Sequence, residues 1–303
     1  FALLLYLLLP IETHKYKLEI EKKESYHKVI AILYDDLDGD GGVEMLRCKN
    51  TLPVPSLVVH KEDGEVIGQW NLNGEWRIHI TDFDHDGFKE VVGFTWFNDS
   101  IWLHVIEPLQ AGGTLLHLPV ERAELYNNTQ DWSVHFADPE DLNGDNRDEY
   151  CFSILAGFTI QPRGLFIYNA FEQELIAQGR EQGNNISNPI LVDIDNDGYP
   201  EITGRVAATG NVKNSSVSYS DSCSWFMIYD RNLQFKSPPI PYSGTPSYLK
   251  VMALKKDQRS QLLTAYFKRS NGEIINQLQL WGWVEDSLVL VTGRKLDLRG
   301  DLK

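Results

Sequence analysis

Helical periodicity is what this sequence most plainly lacks. None of its 303 residues falls in a convincing amphipathic helix, so short apolar runs are left to build the core. Cysteine is also scarce. Cys48, Cys151 and Cys223 are scattered, odd in number and without a CxxC spacing, which argues against a disulfide scaffold or a thiolate zinc site and predicts buried free thiols. Positive charge is in deficit, with 28 basic against 43 acidic residues and a net charge of −15. That balance argues against nucleic acid or an anionic membrane surface as the main partner. No nucleotide-binding glycine loop, nucleophile elbow or His-x-x-x-His pattern occurs, so the common catalytic signatures are missing. A triad assembled only in three dimensions would leave no such trace in chain order.

Long hydrophobic runs are absent except at the start, where "FALLLYLLLP" is apolar from Ala2 to Leu9. Crossing a bilayer takes about 20 residues. The run, ended by Pro10, predicts the tail of a signal peptide or membrane anchor over residues 1–10, with a buried strand as the alternative. Asn-x-Ser/Thr triplets at Asn98, Asn127, Asn185 and Asn214 add slight support for a secreted chain.

What the chain has in quantity is a repeated acidic loop. "DLDGDGGVE" (36–44), "DFDHDGFKE" (82–90), "DLNGDNRDE" (141–149) and "DIDNDGYPE" (193–201) share one register. Position 1 is Asp, position 3 Asp or Asn, position 5 Asp and position 9 Glu. Position 2 is apolar (Leu37, Phe83, Leu142, Ile194) and position 6 is Gly41, Gly87, Asn146 or Gly198, residue types that enter left-handed backbone most readily. Carboxylates this dense repel one another unless a cation lies among them.

Hard oxygen donors in a flexible loop suit calcium, which takes six to eight of them. Side chains at positions 1, 3 and 5, a carbonyl at 7 and a two-oxygen carboxylate at 9 supply about that number. Transition metals would want imidazole or thiolate, and only His85, at position 4 of one copy and expected to point outward, offers either. An EF-hand is excluded: its acid at position 12 is replaced by Arg47, Gly93, Phe152 and Gly204, and the flanks read as strands rather than helices.

The loops recur 46, 59 and 52 residues apart, a period that marks repeated supersecondary units. Each unit carries short runs rich in β-branched and aromatic residues. Such runs enter the loop ("VIAILY", "WRIHI", "NPILV"), leave it ("EVVGFTWF", "EYCFSIL"), follow a polar turn ("SLVVH", "SIWLHVIE", "GLFIYN", "SWFMIYD") and close the unit ("ELIAQG"). Four strands per unit of this length predict propeller blades. A worn fifth copy, "ALKKDQRSQ" (253–261), keeps Leu254 and Asp257 among Lys255, Lys256 and Arg259 and is expected to be metal-free. "DLRGDLK" (297–303) begins a sixth. The expectation is therefore an all-β chain, with a propeller of about five blades and a truncated sixth over residues 11–303, incompletely closed.

The loops resemble the calcium-binding loops of FG-GAP/VCBS repeats, found in the propeller of integrin α-subunits and in many bacterial surface proteins. The resemblance covers about residues 27–303. It implies about four Ca2+ ions, held by Asp36, Asp38, Asp40, Gly42 and Glu44; by Asp82, Asp84, Asp86, Phe88 and Glu90; by Asp141, Asn143, Asp145, Arg147 and Glu149; and by Asp193, Asp195, Asp197, Tyr199 and Glu201. The function expected on this basis is a non-enzymatic, membrane-anchored sensor or adhesion ectodomain outside the cytoplasm, binding a protein or carbohydrate at its loops. The alternative is a secreted, calcium-dependent polysaccharide lyase or another carbohydrate-active enzyme on such a scaffold. Trp96, Trp102 and the tryptophans of "LWGWVED" (280–286) offer faces on which a sugar or peptide would stack, with packing of large aromatics within the blades the favoured reading.

Overall fold

The computed structural model describes residues 29–49, 56–71, 77–109, 113–122, 131–156, 162–169, 171–179, 182–211, 218–256, 259–270 and 273–296. The apolar start, Asn127, Asn214, Asp257 and the sixth copy lie outside them. Among the described residues there is no helix, so none is long and apolar enough to cross a membrane.

Three units fold as four-stranded antiparallel meanders. The first contains β1 (Val29–Asp35), β2 (Glu44–Lys49), β3 (Ser56–His60) and β4 (Val66–Asn71) in chain order. The second contains β5 (Arg77–Thr81), β6 (Glu90–Phe97), β7 (Ser100–Glu107) and β8 (Gly113–Arg122), and the third β9 (Trp132–Phe136), β10 (Glu149–Ala156), β11 (Arg163–Asn169) and β12 (Glu174–Gln178). Each acidic loop joins the first strand of its unit to the second, and its position-9 Glu opens the second strand.

Alternation along the middle strands explains how the sheets stack. In β6, Val91 faces a core shared with Leu46, Leu57 and Val59 of the first sheet, whereas Val92 and Phe94 face one shared with Phe152 and Phe166 of the third. In β11, Phe166 and Tyr168 join that second core, while Leu165 and Ile167 turn to a third one around Ile202, Phe226 and Leu249. Both faces of these strands are therefore buried, which is why they read as nearly continuous apolar runs. Each fully buried large side chain contributes about 1.5–3 kcal/mol of transfer free energy. Cys48 and Cys151 lie in these cores as free thiols, both pushed by burial up to about 12.

The fourth and fifth units depart from the regular plan. Strands β13 (Ile186–Val192) and β14 (Glu201–Ala208) begin a unit, but "SWFMIYD" supplies only β15 (Cys223–Phe226), paired with β16 (Ile240–Ser243) in a separate two-stranded sheet. Beyond it, Tyr229 bridges Ile202 at the loop end of β14. The other end of β14 pairs through Val206, Ala207 and Ala208 with β17 (Ser247–Lys256). With β18 (Arg259–Ser270), β19 (Glu273–Val284) and β20 (Ser287–Leu296), this makes a six-stranded sheet. The described residues of the worn fifth copy do not take the acidic-loop geometry. Ala253 pairs with Leu262 and Lys256 with Arg259, so without acids to organise round an ion the segment continues as a hairpin.

Candidate metal centre

The four loops share one backbone frame. Left-handed backbone at position 6 (Gly41, Gly87, Asn146, Gly198) turns the chain back on itself, and position 4 (Gly39, His85, Gly144, Asn196) is left-handed too. The second turn was not foreseen from the sequence, because His85 hides a pattern that Gly39, Gly144 and Asn196 spell out. The position-6 N–H donates to Oδ2 of the position-1 Asp at 2.8–3.2 Å in all four. The position-7 N–H of Gly42, Phe88, Arg147 and Tyr199 donates to Oδ1 of position 5 at 2.6–2.9 Å.

Position 9 is the buried post of the loop. Glu44, Glu90, Glu149 and Glu201 are all buried, and in each Oε2 accepts the N–H of the apolar position-2 residue at 2.8–3.0 Å. That N–H is fixed in turn by Leu37, Phe83, Leu142 or Ile194 packing inward. One oxygen of the glutamate is thus committed to the backbone. The other is left for the centre of the loop.

What meets that second oxygen differs between copies. In the third loop Glu149 Oε1 accepts from Asn143 Nδ2 at 2.9 Å and from Asn169 Nδ2 at 3.2 Å, and Asn143 Nδ2 also reaches Asp145 Oδ2 at 3.3 Å. In the fourth, Lys236 Nζ lies 2.6 Å from Asp195 Oδ2, 2.9 Å from Glu201 Oε1 and 3.5 Å from Asp197 Oδ2. No ion pair reaches the position-1, -3, -5 or -9 carboxylates of the first two loops among the described residues.

Charge follows this geometry. Burial pushes Glu90 up to about 7, the Phe83 N–H opposes the rise, and Asp84, Asp86 and Asp82 add to it. Glu149 and Glu201 are raised mainly by burial as well, Glu201 against the pull of Lys236. The Lys236 ammonium, although burial works against its charge, is held above the ordinary lysine range by Asp195 and Glu201. Burial would raise Asp141, but N–H groups of Asn146, Gly144, Asn143 and Asp145 outweigh it and hold the carboxyl below its usual value.

A hard cation fits this donor set. Carboxylate oxygens of Asp36, Asp38 and Asp40, of Asp82, Asp84 and Asp86, and of Asp193, Asp195 and Asp197 lie within 4.8 Å of one another in each triplet. Asp82 Oδ1 is buried without any hydrogen-bond partner, a condition a carboxylate oxygen tolerates poorly unless a cation meets it. The third loop, with Asn143 in place of an acid, brings together the same backbone frame with one charge fewer.

The loops lie side by side. Lys89 Nζ contacts Asp35 Oδ1 at 2.6 Å and Lys89 N–H donates to Leu37 O, linking the second loop to the first. His85 points outward, as expected, and pairs with Asp148 of the third loop at 2.9 Å. Tyr199 of the fourth crosses Gly144 of the third so closely that a Cβ there would stand 2.6 Å from its ring, and Arg231 covers the same ring.

The aromatic candidates divide. Trp281 is core, Trp96 packs against the second core, Trp283 against the third, and Trp102 stacks on His117. Asn98 stands in the turn between β6 and β7 with left-handed backbone, whereas Asn185 is buried and cannot accept a glycan as folded.

No family model matches the sequence, and no curated protein matches it. Solved structures similar to the fold include a Bacillus licheniformis rhamnogalacturonan lyase of class PL11 (11% identity, TM-score 0.38), the exotype rhamnogalacturonan lyase YesX (10%, 0.40) and the rhamnogalacturonan lyase YesW (11%, 0.39). The matches cover 89%, 93% and 89% of this chain and 52%, 53% and 52% of those proteins, so the chain spans about half their length. The expectation of a chain without enzymatic activity is corrected here, since each of these structures is that of an enzyme. At such TM-scores they assign neither a reaction nor a substrate to this chain.

Proposed function

We propose that the chain is a calcium-binding β-propeller of the FG-GAP/VCBS kind, in which Ca2+ fixes the loop edge of successive blades. The observation that carries this reading is the set of registered carboxylate triplets, together with the buried, unpartnered oxygen of Asp82 in the second of them. In the first two loops the Asp side chains, the carbonyls of Gly42 and Phe88 and the free oxygens of Glu44 and Glu90 would hold the ion. In the third, Asp141, Asn143, Asp145, Glu149 and the Arg147 carbonyl would do so with one charge fewer. The ion supplies the positive charge that close carboxylates need, each unscreened pair costing on the order of 1–4 kcal/mol at intermediate dielectric. In the fourth loop Asp193, Asp195, Asp197, Glu201 and the Tyr199 carbonyl form the same frame, with the Lys236 ammonium competing for its centre. Millimolar calcium outside the cytoplasm suits such a loop, which also fits a secreted or membrane-tethered chain.

The activity we assign to this scaffold is carbohydrate-active, as a calcium-dependent polysaccharide lyase or a related enzyme, with its ligand at surface loops. Rhamnogalacturonan, named in the matched structures, is the first polysaccharide to assay. Calorimetric titration of chelator-treated protein with calcium is expected to saturate at about three ions. Fewer than two ions per chain overturns the calcium reading. Incubation of the calcium-loaded protein with rhamnogalacturonan is expected to release unsaturated uronate, seen by ultraviolet absorbance. No product from this or other acidic polysaccharides overturns the catalytic reading while leaving the calcium reading intact.

A further inference from the structure

Buried polar atoms without partners are few in a folded protein, and each needs an explanation. Of the fourteen such side-chain atoms among the described residues, five belong to four residues around one cavity. They are Trp132 Nε1, Arg163 Nε and Nη1, Asn185 Nδ2 and Asn211 Oδ1.

The cavity, of about 300 Å³, is remote from the acidic loops. Trp132 opens β9, Ala156 closes β10, Arg163 opens β11, and Ala207 lies near the end of β14. These are the strand ends opposite the loop edge. The site lies where the third sheet meets the fourth unit, and its size suits a small ligand.

The chemistry of the wall is lopsided. Four of the five atoms are N–H donors, two of them on a guanidinium, and Asn185 is only 5% exposed. Asp131 also lines the cavity, and Asp221 holds the lining residues Thr209 and Asn211 in place, its Oδ2 accepting from Thr209 Oγ1 at 2.9 Å and from Asn211 N–H at 2.8 Å. Asp221 and Asp131 favour the charged guanidinium of Arg163, while its burial is the larger effect and works against that charge. An arginine kept in such a place with open donors is suited to a carboxylate. Asn211 Oδ1, Thr209 and Ser187 offer acceptors and hydroxyls at the same cavity, as a ligand bearing hydroxyl groups requires.

We propose that this cavity binds a sugar acid, its carboxylate on Arg163 and Asn185 and its hydroxyls toward Asn211. The site stands apart from the acidic loops and does not depend on which ion they hold.

The test is calorimetric titration of the calcium-loaded chain with glucuronate (ring form) and gluconate (open chain), with glucose and acetate as controls. A sugar acid is expected to saturate one site, with glucose and acetate at least tenfold weaker. Arg163→Met is expected to weaken binding at least tenfold with an unchanged melting curve. Should that variant fail to fold, Asn211→Ala at the partly exposed rim is expected to weaken binding several-fold. Failure of both sugar acids to bind overturns the proposal. So does glucose or acetate binding as tightly as the acid, or a folded variant that binds as the parent does. Calcium titration of the same sample keeps failure here separate from failure of the metal reading.

Discussion

The loops at Asp82–Glu90 and Asp193–Glu201 have the same backbone, the same buried glutamate and the same three aspartates, yet they solve the problem of their own charge differently. In the fourth loop the ammonium of Lys236 enters from a segment 35 residues past Glu201 and contacts three carboxylates. In the second loop no side chain among the described residues does so; burial drives Glu90 up to about 7 and Asp82 Oδ1 has no hydrogen-bond partner among them. The acids alone therefore do not define a metal centre. On the proposed reading the same loop frame would serve as an ion site or as one end of an internal ion pair, depending on whether a distant lysine reaches it. The third loop lies between, with the Asn143 amide substituting neutral donors for a charge.

The comparison is broken most forcefully by removing carboxylates with and without calcium. Asp86→Ala is expected to remove one ion site, and a site at one hundred times its dissociation constant contributes about 2.7 kcal/mol. Its melting temperature in calcium should fall by several degrees, and chelation should erase most of the difference from the parent. Asp197→Ala, at the fourth loop, should lower it less and respond less to chelator, because Lys236 remains paired with Asp195 and Glu201. Equal calcium-dependent losses in the two variants would refute the distinction between the loops.

Lys236→Met sharpens the same contrast from the other side. Lys236 is partly exposed, so losing the pair in chelator should cost about 1–3 kcal/mol, below the range for a fully buried pair. In calcium the variant should recover much of that loss and bind one more ion than the parent by calorimetry. A variant with unchanged stoichiometry would show that the fourth loop is no ion site even when vacated.

How much of this the sequence discloses follows from the range of the interactions involved. The loops are local: the left-handed turn at Gly87, the inward Phe83 and the glutamate at position 9 all act within nine residues, so register alone specifies them. The strands β3, β6, β10 and β11 are equally legible, because both their faces are buried and their apolar runs are nearly continuous. The fourth unit was misjudged where "SWFMIYD" reads as one strand but breaks after Phe226, since β17 pairs with the far end of β14. That competition is non-local and leaves no periodic trace. Lys236 was missed for the same reason, as nothing near it in the chain is acidic except Asp230. The cavity of Arg163, Asn185 and Asn211 draws on strand ends from two units, and in the sequence Asn185 reads only as a glycosylation triplet. The fifth copy's loss of acids gave an expectation about metal, but did not disclose that its flanking residues would pair as strands β17 and β18.

The smallest expected effect is a pH slope that only the ion-free protein should show. Glu90 has a folded value of about 7 against an ordinary glutamate near 4.5. Between those values the folded chain holds a proton that the unfolded chain has released, so the stability this group contributes at low pH is lost as pH rises through the window. Burial raises Glu149 and Glu201 in the same direction, which deepens the slope. In chelator the melting temperature should therefore fall by a few degrees between pH 5 and pH 7.5, as a change of about 1 kcal/mol would produce in a domain of this size. Saturating calcium requires the ionised carboxylate and should flatten or reverse that fall. Glu90→Gln, which cannot ionise, should remove part of the slope in chelator while weakening the response to calcium. An ion-free protein whose stability rises across the window would show that the second loop finds its counter-charge within the chain, as the fourth does in Lys236.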